Sequence, residues 1–327
     1  MKNVLIVGGA GYIGSHAVKR LMAEGINPIV FDSLITGHRD AVLCTDFIEG
    51  DLKEKNDIRA VFERHEVDAV MHFAAHCYVG ESVENPRKYY INNVLGGLNL
   101  LSAMLEAGVK DLIFSSTCAV YGEPLEIPLS EAHPRNPVNP YGVTKYIFEM
   151  AMEDYAAAYG LRYVALRYFN AAGADPEGEL GERHDPETHL IPLTLMAAGG
   201  ARDEITVFGE NYDTPDGTCI RDYIHISDLI SAHLLAYRHL KAGGDSGAFN
   251  LGSEKGYSVR EVIDVCREVT GREIKVTVGD RRPGDPPMLV ASSEKIKGEL
   301  GWEVKFDDLT EVVRTAWNFM LKRKMVK

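Results

Sequence analysis

The sequence predicts an α/β fold, a doubly wound parallel sheet followed by a smaller C-terminal α/β lobe that binds substrate. Three observations lead to this prediction. Apolar runs rich in β-branched residues alternate with helical stretches in the first half, a glycine-rich turn follows the first run, and Gly, Pro, Asp and Glu become frequent after residue 170. Strands separated by helices of about 10 to 15 residues indicate right-handed βαβ units, and such units make a parallel sheet.

The elements can be assigned in order along the chain. The first half predicts strands at NVLIVGG, NPIVFDS, DAVMHFAA, DLIFSST and RYVALRYFN, with helices near residues 15–24, 54–65 and 88–107. After a long loop at 171–189, the short strands EITVFG, AFNLGS and IKVTVG are mixed with three helices. We expect a first domain at 1–175 and a second at 176–327, with the segment from about 222 to 252 packing back on the first. The cleft between two lobes is the default place for a ligand.

Composition excludes several function classes. The net charge of −13 disfavours a nucleic-acid partner, because binding to a phosphate backbone needs a basic face. No segment approaches the roughly 20 apolar residues that span a membrane, so no membrane association is predicted. The five cysteines form no C-x-x-C pair, which argues against a disulfide framework and a thiolate zinc site. A reducing cytoplasm fits this cysteine usage best.

The first strand ends in a turn typical of dinucleotide-binding proteins. Gly8, Gly11 and Gly14 have the spacing G-x-x-G-x-x-G, and missing side chains let a pyrophosphate approach backbone N–H groups at a helix start. Asp32 ends the next strand, where its carboxylate can accept bonds from the adenosine ribose. A carboxylate there repels a 2′-phosphate, so NAD is favoured over NADP. The sequence thus predicts a Rossmann-type NAD-binding domain, and a turn that serves packing alone is the alternative.

A tyrosine and a lysine share one face of a predicted helix. Tyr141 and Lys145 lie four residues apart in NPYGVTK. Lowering the tyrosine pKa by about three units takes roughly 4 kcal/mol, which a lysine and a cationic nicotinamide ring could supply. Tyr141 could then act as a general base. Thr117 ends an earlier strand at the sheet edge where ligands bind. Because a Tyr-x-x-x-Lys pair alone is common, the prediction rests on all three residues and the glycine turn.

Ordered motifs along nearly the whole chain carry a family resemblance. They are GGAGYIGSH, FDSL, EGDL, HFAAHCYVGESV, YYINNV, FSSTCAVYG, NPYGVTK, LRYFNAAGA, GTCIRDYIH and RRPGD. The chain resembles the extended short-chain dehydrogenase/reductases, and most closely those that invert UDP-sugars at C4. The resemblance implies interconversion of UDP-galactose and UDP-glucose through a transient 4-keto sugar with tightly held NAD. It also implies a homodimer that packs helices of the first domain into a four-helix bundle.

The resemblance assigns roles to individual residues. Tyr141, Lys145 and Thr117 would be catalytic, with Tyr141 taking the proton of the sugar 4-hydroxyl. The cofactor would contact those three residues and Gly8, Gly11, Tyr12, Ile13, Gly14, Asp32, Ser33, Thr36, Gly37, Asp51, Leu52, Phe73, Ala74, Ala75, Cys77, Asn92, Tyr168 and Phe169. Two departures from the family pattern concern this set. Cys77 stands where a lysine is frequent, and Thr36 and Gly37 replace polar residues.

The sugar nucleotide would be bound mainly by the second half of the chain. Besides Thr117 and Tyr141, the resemblance implies Asn170, His189, Leu190, Phe208, Arg221, Arg282, Asp285 and Leu289. Bidentate arginines suit a diphosphate, so Arg221 and Arg282 would clamp it. Asp285 would take the nucleotide ribose and Phe208 would meet uracil. Many members carry asparagine where this chain has His189. Leu289 matches a position that gates the sugar pocket. Because its side chain is intermediate in size, it does not decide whether N-acetylated, pentose or uronic UDP-sugars are accepted.

Three other interpretations of the sequence concern a metal site, a different reaction and a non-catalytic protein. His72, His76 and Cys77 lack a completing carboxylate pair, so they are interpreted as packed residues and no metal site is predicted. A sugar-nucleotide 4,6-dehydratase or decarboxylase would need an acid beside Thr117, where this chain has Cys118 and Ala119. A non-catalytic NAD-sensing protein need not retain Tyr141, Lys145 and Thr117 together. An epimerase for another UDP-sugar stays open.

Overall fold

Thirteen strands are present in this computed structural model, which describes residues 2–282 and 284–327. They are β1 (Asn3–Val7), β2 (Asn27–Asp32), β3 (Phe47–Glu49), β4 (Ala69–His72), β5 (Asp111–Thr117), β6 (Arg162–Tyr168), β7 (Asn170–Ala172), β8 (Ile205–Phe208), β9 (Ile220–His225), β10 (Gly247–Leu251), β11 (Gly256–Ser258), β12 (Val276–Gly279) and β13 (Met288–Leu289). Seven of them form a parallel sheet in the order β10-β6-β5-β4-β1-β2-β3. The predicted doubly wound α/β fold is confirmed.

Helices connect these strands. The α-helices are α1 (Tyr12–Ala23), α2 (Lys55–Arg64), α3 (Val79–Glu84), α4 (Pro86–Tyr89), α5 (Gly96–Ala107), α6 (Pro140–Tyr159), α7 (Leu190–Ala198), α8 (Ile226–Lys241), α9 (Val259–Thr270), α10 (Glu294–Leu300) and α11 (Leu309–Lys322). A π-helical segment, Tyr90–Leu95, joins α4 to α5. None of the helices in the described residues is long and apolar enough to cross a membrane.

The central sheet is covered on both faces, which explains why its strands are continuous apolar runs. In β1, Val4 and Ile6 belong to a core cluster that includes residues of α1 and α8. Their neighbours Leu5 and Val7 belong to a second cluster that includes residues of α2, α5 and α6. Successive side chains of a strand point to opposite faces, so one five-residue strand contributes to both cores.

The C-terminal part of the chain builds a smaller lobe but also returns to the central sheet. β9 pairs with β7, β11 and β13, and β8 pairs with β12. Helices α7, α9 and α11 share a separate core cluster beside these strands. In contrast, β10 pairs with β6 in the large sheet, and α8 packs against α1. The division of the chain at residue 175 stays a prediction.

Candidate active site

A cleft of about 1250 Å³ opens at the carboxyl ends of the central strands. The carboxyl edge of a parallel sheet is the expected ligand site in this kind of fold. All residues assigned to the site from the sequence line this one cleft. They are Gly8, Gly11, Tyr12, Ile13, Gly14, Asp32, Ser33, Thr36, Gly37, Asp51, Leu52, Phe73, Ala74, Ala75, Cys77, Asn92, Thr117, Tyr141, Lys145, Tyr168, Phe169, Asn170, His189, Leu190, Phe208, Arg221, Arg282, Asp285 and Leu289.

The glycine turn between β1 and α1 is shaped by close backbone contacts. Gly8 has a φ of +87°, and a Cβ there would lie 2.6 Å from the amide nitrogen of Ala74. A Cβ at Gly14 would overlap the carbonyl oxygen of Gly8. Gly11 caps α1 without a side chain, and a Cβ there would make only an ordinary contact, 3.4 Å from the Gly8 carbonyl oxygen. The first N–H groups of α1 are therefore available to an anion.

Asp32 lies at the carboxyl end of β2, next to the glycine turn. Its Oδ2 accepts a hydrogen bond from the Ala10 N–H at 2.9 Å, and its Oδ1 accepts one from the Leu34 N–H at 2.8 Å. Burial raises the pKa of this carboxyl, and the backbone donors oppose that rise. The two bonds fix the carboxylate at the cleft wall, where its remaining lone pairs can accept from ribose hydroxyls.

The start of α6 is held against the end of β5. Asn139 caps the helix, its Oδ1 accepting from the Gly142 N–H at 2.9 Å, and Pro140 opens the first turn. A Cβ at Gly142 would lie 2.5 Å from the Ala119 carbonyl oxygen, so only glycine allows this approach. The contact brings Tyr141 beside Thr117.

Lys145 lies one turn further along α6 and is buried. Its Nζ donates to the Ser115 carbonyl oxygen at 2.8 Å and lies 4.7 Å from the centre of the Phe114 ring. Burial lowers the pKa of this lysine to about 8, and Cys77 and Glu149 act in the opposite direction. The ammonium is thus fixed to β5 rather than free in the cleft.

The phenol of Tyr141 is strongly desolvated in the protein alone. Burial, with smaller contributions from Tyr168 and Cys77, raises the pKa of the phenol well above its ordinary value, and the Thr117 hydroxyl opposes this. The sequence predicts that Lys145 and a cationic nicotinamide ring together lower this pKa. Lys145 by itself does not, because its ammonium is directed at the Ser115 carbonyl and desolvation of the phenolate dominates.

A buried charge network under the catalytic candidates was missed from the sequence. Glu149 accepts from the Ser116 hydroxyl at 2.5 Å and from two nitrogens of Arg167 at 3.0 and 2.6 Å. Arg167 also donates to the Tyr121 hydroxyl at 2.9 Å. Glu149 lies four residues after Lys145, so the helical spacing could have placed it on the same face. No local sequence pattern indicated its partner on β6, Arg167.

The π-helical segment connects the loop after β4 to α6. Asn93 accepts from the His76 N–H at 2.9 Å and donates to the Thr144 hydroxyl at 3.1 Å. The neighbouring Asn92 donates to the Asn93 side chain at 3.0 Å and lines the cleft. Single π turns within helices are frequent at functional sites. Cys77, in the same loop, is half-buried, and desolvation raises the pKa of its thiol.

The far end of the cleft contains paired cationic groups. Arg221 donates to the Asp285 carboxylate at 2.8 Å, and the guanidinium of Arg282 lies 4.1 Å above the Phe208 ring. Leu289 of β13 is in register with Arg221 of β9. The residues assigned to diphosphate, ribose, base and sugar are therefore neighbours, although they come from distant parts of the chain.

The family model described as the NAD dependent epimerase/dehydratase family matches residues 4–252. The chain belongs to this family. The match confirms the resemblance seen in the sequence, and it makes the protein an NAD-dependent enzyme.

Individual relatives agree over almost the full length. The UDP-glucose 4-epimerase of Halalkalibacterium halodurans is 52% identical over 316 residues, covering 97% of this chain and 95% of the relative. The structure of UDP-glucose 4-epimerase from Brucella ovis in complex with NAD has a TM-score of 0.95 at 52% identity, covering 98% of both chains. The Bifidobacterium longum UDP-glucose 4-epimerase in complex with NAD+ and UDP has a TM-score of 0.94 at 35% identity, covering 99% of both.

The glycine turn fits the family's cofactor. Side chains at Gly8 and Gly14 would collide with the protein itself, whereas a Cβ at Gly11 would make only an ordinary contact with the Gly8 carbonyl oxygen. A pyrophosphate can therefore approach the N-terminus of α1, with Asp32 placed for the adenosine ribose. NAD, predicted from the sequence, is confirmed as the cofactor.

Proposed function

We propose that this protein is a UDP-glucose 4-epimerase that interconverts UDP-galactose and UDP-glucose. The main support is the grouping of reactive and binding residues in one cleft. Tyr141, Thr117 and Lys145 meet at the carboxyl edge of the sheet, in a cleft that also contains the glycine turn and the Arg221–Asp285 pair. A dinucleotide end, a sugar-nucleotide end and an acid–base pair are thus combined in one site.

The nucleotide would be held by groups of the smaller lobe. Arg221 and Arg282 supply forked donors that match diphosphate oxygens. The Asp285 carboxylate, which accepts from Arg221 in the protein alone, would also accept hydrogen bonds from the nucleotide ribose hydroxyls. Phe208 is exposed and offers a ring face for the base, although Arg282 covers one face in the protein alone. Asn170, which donates to the Asp222 carbonyl oxygen at 2.9 Å, completes this wall.

NAD, when bound, supplies a reversible hydride acceptor and a positive charge near the sugar. The protein supplies the proton transfer. Tyr141 Oη accepts the proton of the sugar 4-hydroxyl as C4 is oxidised and returns it after the sugar has turned. The Thr117 hydroxyl bonds the 4-oxygen. A phenol whose pKa is raised by burial can do this only with a cation nearby, since a positive charge favours the phenolate.

The residues after Thr117 favour an epimerase over a dehydratase. Cys118 and Ala119 occupy a short 3₁₀ turn, Cys118–Val120, in which the Ala119 N–H donates to the Thr117 hydroxyl at 3.2 Å. A thiol whose pKa is raised to about 12 by burial and a methyl group are poor proton donors for eliminating water. Removal and return of hydride needs no further acid at these positions.

The test is turnover without added cofactor. Purified protein is incubated with UDP-galactose, and the anomeric proton signals are followed by NMR. We expect UDP-glucose to accumulate until the two sugars reach equilibrium. A 4-keto-6-deoxy product, or unchanged UDP-galactose in protein that contains NAD, would contradict the proposal.

The sugar range depends on Leu289 at the sugar end of the cleft. Its side chain is intermediate in size and half-buried. The same NMR assay with UDP-N-acetylgalactosamine measures whether the pocket also accepts N-acetyl sugars, and UDP-arabinose and UDP-glucuronate extend it to pentoses and uronic acids.

We propose in addition a homodimer in the cytoplasm, serving galactose metabolism. Exposed apolar side chains on α5 and α6, Leu105 and Met150, and Leu95 beside α5 offer a surface that a second copy would cover. All five cysteines are free, which fits a reducing compartment. Light scattering coupled to size-exclusion chromatography should give twice the chain mass, and a single-chain mass would contradict the dimer.

A further inference from the structure

The loop between β7 and α7 contains two glutamates and two histidines at the spacing E-x-H-x-x-E-x-H. One nitrogen or oxygen atom from each of them lies within 4.8 Å of all the others. We propose that these four side chains form a binding site for a divalent transition-metal ion of the zinc type. The residues are Glu182, His184, Glu187 and His189.

The spacing of the ligand atoms fits a single ion. The Nδ1 atoms of His184 and His189 lie 3.0 and 2.7 Å from the same oxygen of Glu182. The His184 Nδ1 lies 3.8 Å from Oε2 of Glu187, and the His189 Nδ1 lies 3.2 Å from Oε1 of the same carboxylate. Four ligands at about 2.1 Å around a tetrahedral ion are about 3.4 Å apart. Small side-chain rotations would therefore bring all four to coordination distance.

Without an ion, the histidine nitrogens contact Glu182 only as ion pairs and not as aligned hydrogen bonds. Within residues 2–282 and 284–327, the Nδ1 atoms of His184 and His189 are buried and make no hydrogen bond. Buried polar atoms nearly always have a partner, so each exception needs an explanation. Both atoms lie close to a Glu182 oxygen but outside hydrogen-bonding geometry. A metal ion between them would satisfy both nitrogens at once.

The carboxylates are arranged as ligands with outer partners. Glu187 Oε1 accepts from the N–H groups of Thr188 and His189 at 2.8 and 2.9 Å, which orients Oε2. Glu182 is only 7% exposed, and a buried carboxylate requires a cationic partner. Arg183 anchors the loop to the first domain through Asp40 at 2.8 Å. The site is thus held by the backbone bonds to Glu187 on one side and by the Arg183–Asp40 ion pair on the other.

Two imidazoles and two carboxylates select the class of ion. Nitrogen ligands suit zinc, cobalt and nickel, whereas calcium and magnesium prefer oxygen alone. The site is structural in our proposal. The ion would fix the loop that ends at His189 and Leu190, at the wall of the substrate half of the cleft.

The test measures metal binding directly. Full-length protein is freed of metal by a chelator, reloaded with Zn²⁺, passed over a desalting column and measured by inductively coupled plasma mass spectrometry. We expect close to one zinc per chain. X-ray absorption should show nitrogen and oxygen neighbours at about 2.0 to 2.2 Å without sulfur at about 2.3 Å. Less than a fifth of a zinc per chain, or sulfur neighbours, would overturn the proposal.

Variants locate the ion. His184→Gln and Glu187→Gln should each weaken zinc affinity by about tenfold or more. Loss of a residue that only hydrogen-bonds a metal ligand already costs about tenfold in affinity. His65→Gln, at the end of α2, is the matched control and should bind like the unchanged protein. Circular dichroism establishes that each variant is folded, and two independent variants keep the test valid if one is not. Unchanged affinity in a folded His184→Gln or Glu187→Gln protein would refute this site.

Discussion

Lys145 Nζ donates a hydrogen bond to the carbonyl oxygen of Ser115 at 2.8 Å. The bond ties the first turns of α6 to the strand that ends in Thr117. Because Tyr141 lies one turn before Lys145, the same contact keeps the phenol beside the threonine hydroxyl. The geometry of the reacting groups is thus fixed by a bond to main chain, which no side-chain substitution at Ser115 would remove.

Tyr141→Phe should lower epimerase turnover by about 10² to 10⁴-fold, the range that a general base contributes. The expected cause is loss of the proton acceptor, so bound NAD, measured by its release on denaturation, should be unchanged. Tyr155→Phe removes a hydroxyl from the same helix, and turnover should stay within a factor of two. Turnover of Tyr141→Phe close to that of the control would remove Tyr141 as the base.

Lys145 gives the NAD-free protein a pH dependence of stability. Its pKa is lowered to about 8 from 10.5, so between these values the unfolded state binds more protons. Stability relative to Lys145→Met should therefore be complete above pH 10.5 and be lost as the pH falls to 8, by on the order of 3 kcal/mol.

Urea unfolding from pH 7 to 10 measures this difference. Lys110→Met replaces an exposed lysine at the start of β5 and is the control for general effects of losing a charge. Its stability difference from the unchanged protein should vary much less with pH. A pH-independent difference for Lys145→Met would show that the burial of Lys145 is not the cause.

Glu149→Ala should destabilise the protein by about 3 to 5 kcal/mol, because it leaves the Arg167 guanidinium buried without its carboxylate. Glu153→Ala is the matched control. Glu153 lies one turn later on α6, bonds the same Arg135 as Glu149 and is exposed, so its loss should cost about 1 kcal/mol or less. Equal effects of the two substitutions in urea unfolding would contradict a special role of the buried pair.

Gly14→Ala should abolish NAD binding, since its Cβ would overlap the Gly8 carbonyl oxygen and force the turn apart. Gly298→Ala adds the same methyl group in α10 with open space around it, and should stabilise the helix by up to about 1 kcal/mol. NAD content after purification, measured by chromatography of the denatured protein, should be lost in Gly14→Ala and unchanged in Gly298→Ala, and urea unfolding measures the stability of the latter. Gly14→Ala protein with a full complement of NAD would disprove the steric account.

The parts of the site that follow local spacing could be predicted from the sequence. The glycine turn, Asp32 and the Tyr141 and Lys145 pair each lie within one strand-turn-helix unit or one helical turn. Their relation to the fold then follows from the rule that ligands bind at the carboxyl edge of a parallel sheet. Thr117 was found in the same way, as the last residue of β5.

Contacts between distant segments could not be predicted. The Arg167 and Glu149 pair joins β6 to α6, and the sequence around each residue does not indicate its partner. The helix predicted near 88–107 begins earlier and contains the π segment Tyr90–Leu95, because a wider turn leaves little trace in hydrophobic periodicity. The direction of the Tyr141 pKa shift depends on burial, which is a property of the folded cleft.

In the proposed reaction, hydrogen leaves C4 as hydride and returns to the same carbon. UDP-galactose labelled with deuterium at C4 tests it in ordinary water, with mass spectrometry and NMR of the UDP-glucose formed. Because a hydride carried by bound nicotinamide would not exchange with water, the product should retain the deuterium at C4. Replacement of the label by solvent hydrogen would contradict the mechanism.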